Sequence, residues 1–144
     1  MTVILPIRVM AFETDYGGVV SNTRYLEYIE RGRYALLHSS GLKMEEIVAD
    51  IGVQFVVRKV EIEYLSPARH EDELELEISV ASHGRTSTVL HFQLHRKGES
   101  TLLLRATQTL VYINENWRPT RVPQLFLDAF PIHENAEIPA QISP

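Results

Sequence analysis

In the stretch FETDYGGVVSNTRYLEYIERGR, residues 12–33, a carboxylate, Asp15, precedes the pair Gly17-Gly18 and then Ser21 and Asn22, two residues that favour the start of a helix. Glycine lets backbone approach a ligand closely, and a helix start offers the positive end of its dipole. An acid beside such backbone is equipped for acyl-transfer chemistry. Amides at the helix start stabilise charge developing on a carbonyl oxygen, while the acid acts as general base toward water or attacks as nucleophile to give a mixed anhydride. These residues do not choose between the two routes. Taken alone, an Asp-x-Gly-Gly run is more simply a turn closed by its aspartate, and Asn22 a plain helix cap, so the rest of the chain has to carry the reading.

Other chemistries are excluded more directly. The 144 residues contain no cysteine, which removes disulfides, thiolate catalysis and cysteine-ligated zinc. Six histidines occur, at 38, 70, 83, 91, 95 and 133, but His91 and His95 fall in a strand-like run where four residues is too long a separation to share one ion. No metal is expected. Neither a phosphate-binding glycine loop nor a serine elbow is present. With 19 acidic against 14 basic residues the net charge is -5, which argues against a broad nucleic-acid surface. The opening MTVILPIRVMAFETD lacks a basic leader, and no apolar run reaches the roughly 18 residues of a membrane span, so a soluble cytoplasmic protein is expected.

The elements that must position Asp15 follow from periodicity. Hydrophobic residues make up 44% of the chain, enough for one domain with a sizeable core. Residues 2–11 alternate weakly and contain Pro6, the mark of an edge strand. After the glycines, Tyr25, Leu26, Tyr28, Ile29, Leu36 and Leu37 recur at helical spacing, predicting an amphipathic helix of roughly four turns that ends near Gly41. Glu27 and Arg31 are spaced as an i,i+4 pair. Gly32 on the apolar side implies close approach to a sheet. A short helix over 44–49 is broken by Gly52. Strands are then predicted over 53–65, read as central and with a bulge near Arg58 and Lys59, over 73–80, over 86–95 after a turn at His83-Gly84-Arg85, and over 102–113. The tail after about residue 118, with Pro119, Pro123, Pro131, Pro139 and Pro144, reads as a loosely ordered cover within the single domain 1–144. The class is α+β, and one helix leaves some sheet edge or face for another copy of the chain.

With Asp15 through Tyr25 followed by Glu30-Arg31-Gly32-Arg33, and a second segment running from Val56-Val57-Arg58 through Tyr64-Leu65-Ser66-Pro67-Ala68-Arg69 to Asp72, the chain resembles hotdog-fold thioesterases of the 4-hydroxybenzoyl-CoA thioesterase type. The resemblance implies a five-stranded antiparallel sheet wrapped around one long helix, sheets paired in a homodimer, and often homotetramers. It implies hydrolysis of acyl thioesters carried on coenzyme A, or on an acyl carrier protein, with no cofactor beyond the coenzyme A of the substrate. The family's acid maps onto Asp15 and its oxyanion amide onto the backbone N–H of Asn22. Close relatives carry histidine or tyrosine at the position of Asn22, a departure that leaves the amide unchanged.

Gly18 and Tyr25 complete the expected substrate contacts, although a tyrosine at the position of Tyr25 is more commonly core. For the phosphates of coenzyme A the candidates are Arg85 with Thr86, and Arg58 with Lys59; Arg96-Lys97 is an alternative. Glu30 and Arg33 read as structural. The rival classes are an acyl-carrier-protein thioesterase and a non-catalytic acyl-binding hotdog domain. A hotdog dehydratase is disfavoured because no histidine lies between Asp15 and Leu37.

Overall fold

The computed structural model describes residues 2–132. The elements are β1 (Thr2–Arg8), a 3-10 turn (Ala11–Glu13), α1 (Asn22–Ser39), α2 (Met44–Ile51), β2 (Gln54–Tyr64), β3 (Glu73–His83), β4 (Ser87–Arg96), β5 (Leu102–Ile113) and α3 (Gln124–Ala129). All strand pairs are antiparallel, in the order β1-β3-β4-β5-β2. The three consecutive strands form a meander, and the two early strands close its sides. Pro6 is therefore on an edge as expected. β2, read from sequence as central, is the opposite edge, because its partner β5 arrives last and leaves its other side open.

Alternation builds the two faces of the sheet. Leu74, Leu76, Ile78 and Val80 of β3 are fully buried, while Glu73, Glu75 and Glu77 point the other way. Along one row Ile78 pairs with Phe92 and Phe92 with Ala106, and α1 lies over this face. Gly32 is the point of nearest approach: a methyl group placed there would lie 2.8 Å from Leu76 Cδ2 and 2.9 Å from Ile78 Cγ1. On the reverse face Glu77, Gln93, Arg105 and Glu63 align in one row, and Arg105 Nε donates to Glu63 at 2.9 Å. This row is polar, so water can cover it without a second helical layer.

The helix has 18 residues, about five turns, one more than the sequence suggested. Its polar side is tied down differently from the predicted i,i+4 pair: Glu27 bonds to Arg24 rather than Arg31. Arg33, buried, is held by a bidentate pair with Glu30 and donates to Gln108 Oε1 of β5 at 3.0 Å. This supports a structural role for Glu30 and Arg33. The bulge falls between Val57 and Lys59 as expected. α2 runs to Ile51 and is closed by Gly52 at φ +65°.

The tail departs from expectation over residues 119–132. It is no loose cover: Val122, Phe126 and Phe130 are buried in the main core, where Phe126 meets Tyr112 and Phe55. Prolines masked an amphipathic turn whose aromatic residues each gain about 1.5–3 kcal/mol from burial. A polar chain fastens it. His83 Nε2 donates to the Phe130 carbonyl at 2.7 Å, so Nδ1 accepts from Thr88 Oγ1 at 2.8 Å, and Thr88 in turn accepts from Tyr112 at 2.8 Å. Residues 133–144, with His133, Pro139 and Pro144, lie outside the described residues.

Candidate active site

The loop carrying Asp15 is a tight hairpin. Thr14 bridges Val20, Asp15 N–H donates to Val19 O at 2.9 Å, and Gly18 N–H returns to Asp15 O at 3.0 Å. Gly18 takes φ +71°, a conformation that favours glycine at the turn. The Asp15 side chain joins in, Oδ1 accepting from Gly17 N–H at 2.9 Å. One carboxylate oxygen is thereby fixed, and Asp15 is exposed to solvent.

This hairpin is stitched to the segment after β2. Val20 N–H donates to Ala68 O at 2.8 Å, His70 N–H to Gly18 O at 3.0 Å, and Val19 bridges Arg69. Glu13 anchors the other side: its carbonyl accepts from Ser21 N–H, while its buried carboxylate accepts from Met10 N–H at 2.9 Å and Tyr28 O–H at 3.0 Å. Burial, reinforced by the Glu13 carboxylate, holds the Tyr28 hydroxyl well above the usual phenol range.

At the helix start Ser21 occupies the N-cap position in extended conformation, yet its side chain makes no cap bond, and the first turn carries no acid. The N–H of Asn22, first residue of α1, is one of those a helix leaves without an intrahelical acceptor. The dipole's positive end therefore faces no neutralising side chain of its own turn. Tyr25, one turn on, is buried. Its oxygen accepts from Ala68 N–H at 3.1 Å and its ring packs 5.5 Å from Tyr64; desolvation raises its pKa above the usual phenol value.

These pieces enclose an open pocket of about 370 Å³. One wall is Asp15, Val19, Val20, Ser21, Asn22 and Tyr25; the other is Tyr64, Leu65, Ser66 and Pro67. Of the expected site residues, Asp15, Asn22 and Tyr25 meet here. Gly18 does not line the pocket and instead shapes the turn. Arg58, Lys59, Arg85 and Thr86 are not brought to this pocket within one chain. Tyr64 pairs with Leu104, Lys59 with Thr109, and Thr86 O accepts from Tyr112 N–H, so along β5 they lie about 17 Å and about 26 Å from the pocket end. Lys59 pairs with Glu61.

The second wall was missed by sequence reasoning, and so was Glu13. The strand break at Ser66-Pro67 was visible, but nothing local says that it folds back onto a loop some 50 residues earlier. A second hollow of about 550 Å³ over β1 and β3 is lined by Ile4, Pro6, Lys97 and the ion-paired Arg8 and Glu73. Among the described residues, no cluster of three His, Cys, Asp or Glu could hold a metal ion, and no helix is long and apolar enough to cross a membrane.

One long helix packed against a five-stranded antiparallel sheet is the hotdog arrangement. The chain belongs to the thioesterase-like superfamily, whose family model matches residues 9–140. It is 33% identical over 126 residues, 87% of this chain and 92% of the relative, to the acyl-CoA thioester hydrolase YbgC of Escherichia coli. It is 26% identical to the chloroplastic acyl-acyl carrier protein thioesterase ATL3 of Arabidopsis thaliana, over 86% of this chain and 65% of that one. In structure it matches a 4-hydroxybenzoyl CoA thioesterase mutant complexed with 4-hydroxybenzoyl CoA, with TM-score 0.82 at 18% identity, covering 89% and 97% of the two chains.

Proposed function

We propose that this thioesterase hydrolyses acyl-CoA thioesters to the free acid and coenzyme A, with Asp15 as general base and the Asn22 backbone N–H as oxyanion donor. The observation that carries this reading is that Asp15 and the uncapped start of α1 line the same pocket. A thioester carbonyl placed between them gains negative oxygen at the amide while water attacks its carbon. An amide of this kind is worth roughly 3–4 kcal/mol in comparable sites. Asp15 is exposed, so water reaches its second oxygen while the first is held by Gly17 N–H. Direct attack by Asp15 is the competing route; in a single turnover in ¹⁸O-water, label in Asp15 shows a mixed anhydride opened by water at the aspartyl carbon, whereas the general-base route never labels Asp15.

Asp15→Asn tests the reading. Asparagine keeps an oxygen for Gly17 N–H, so the loop and Tm stay while kcat/KM on acyl-CoA falls about 10²- to 10⁴-fold. Unchanged hydrolysis refutes the assignment. The likeness to ATL3 favours a second reading, hydrolysis of acyl groups on a carrier protein. Much faster turnover of a matched acyl-carrier substrate selects it, and binding without hydrolysis of either selects a non-catalytic acyl-binding domain.

The assembly we propose is a homodimer through the open edge of β2, pairing further into tetramers. That edge has 11 residues and no proline, and exposes Val57, whereas the β1 edge is interrupted by Pro6. In this arrangement Arg58, Lys59, Arg85 and Thr86, remote from their own pocket, serve coenzyme A phosphates at the partner's.

A further inference from the structure

Ser21 is a helix-cap residue released from capping. A serine at the N-cap ordinarily turns its hydroxyl onto the N–H of the second or third helical residue. Here the third, Arg24, already donates its N–H to Ser21's own carbonyl at 2.9 Å, and Ser21 N–H is taken by Glu13 O at 3.0 Å. Both backbone groups of Ser21 are therefore committed, which fixes the residue. Its hydroxyl makes no hydrogen bond among the described residues, yet Ser21 is half-buried and lines the pocket between Asp15 and Asn22 in sequence. A fixed, unspent hydroxyl in that wall is unlike Tyr25, whose oxygen is occupied by Ala68 N–H.

We propose that Ser21 is a positioning residue for the attacking water, an inference that rests on the thioesterase reading above. Water has two hydrogens. Asp15 accepts one and Ser21 Oγ the other, which leaves an oxygen lone pair directed at the thioester carbon. In the step, the water oxygen bonds to carbon, its proton passes to Asp15, the C–S bond breaks with its electrons on sulfur, and the proton on Asp15 goes to the departing thiolate. Ser21 gains and loses nothing; it restricts the water's orientation.

The test is steady-state hydrolysis of an acyl-CoA by wild type, Ser21→Ala and Ser21→Thr, with Tm measured for each. Expected for the alanine variant are a kcat lower by about 10- to 100-fold, the scale of a misplaced reactant, an unchanged KM and an unchanged Tm, because no cap bond is lost. Threonine, which restores the hydroxyl, recovers most of kcat. A wild-type kcat in Ser21→Ala overturns the proposal while leaving the role of Asp15 standing. A fall in Tm together with kcat, without rescue by threonine, shows an ordinary cap and overturns it as well. Absence of hydrolysis by wild type overturns the enzymatic reading and this inference with it, whereas loss in Asp15→Asn alone sinks only the Ser21 assignment.

Discussion

Replacing Gly32 with alanine sets two sizeable effects against each other. Alanine in place of glycine inside a helix gains about 1 kcal/mol from backbone entropy alone. The added methyl, however, lies 2.8 Å from Leu76 Cδ2 and 2.9 and 3.2 Å from Ile78 Cγ1 and Cδ1. Carbon atoms rest at about 3.5–4.0 Å, so roughly 0.7 Å has to be recovered by displacement. Leu76 and Ile78 are fully buried and locked between β1 and β4, where they pair with Leu5 and Leu94 and with Val3 and Phe92. They have nowhere to swing, and α1 has to lift. Overpacking of this kind costs about 1–3 kcal/mol, and the enclosed setting places it toward the upper end. The net expectation is a loss of about 1–2 kcal/mol, or a Tm lower by about 3–7 °C for a chain of this length. Urea and thermal denaturation followed by circular dichroism measure it. Ile78→Ala, which deletes both offending Ile78 atoms, supplies the second arm of a cycle: the double variant is more stable than the sum of the singles. A Gly32→Ala protein as stable as wild type, or additive with Ile78→Ala, refutes the close approach of helix and sheet.

Two other outcomes are expected. Tyr25, Tyr28 and Tyr112 have phenols raised from 10.0 chiefly by burial, Tyr112 to about 12; unfolding lets them ionise at their ordinary value, so the stability they confer is intact below pH 10 and lost as pH climbs through the folded values. With the exposed Tyr16, Tyr34 and Tyr64 replaced by phenylalanine, phenolate absorbance and loss of circular dichroism rise together between pH 10 and 12, and ionisation of the remaining phenols in a protein still fully folded at pH 10 would contradict the burial. Val57→Lys places a charge at the β2 edge and converts the proposed dimer to monomer in sedimentation velocity, with Tm above ambient; a variant that sediments like wild type rules out that edge as the interface.

Legibility in the sequence followed the range of the forces involved. β3 was legible because Leu74, Leu76, Ile78 and Val80 alternate with acids, and α1 because its apolar residues keep one period for several turns. Asp15, Asn22 and Tyr25 lie within one continuous stretch, and they meet in the pocket. What escaped depends on distant pairing. Nothing local to Glu13 says that Tyr28 will claim its carboxylate, nor to Ser66 that it will face the helix start. The sequence reading puts β2 at the centre although it carries Arg58, Lys59, Glu61 and Glu63, and the order of the other strands makes it an edge. Phe126 and Phe130 were hidden by the prolines around them.

The order β1-β3-β4-β5-β2 also dictates a schedule. The strands synthesised first flank the sheet, and each has to wait for a partner made much later: β1 for β3, β2 for β5. The β3-β4-β5 meander can close through short turns, whereas Ile7 meets Leu74 and Val20 meets Ala68 only by closing long loops, which costs entropy and time. The Asp15 hairpin, though near the beginning of the chain, is therefore among the last parts to take shape, since the segment it is stitched to must first be delivered by strands that follow it.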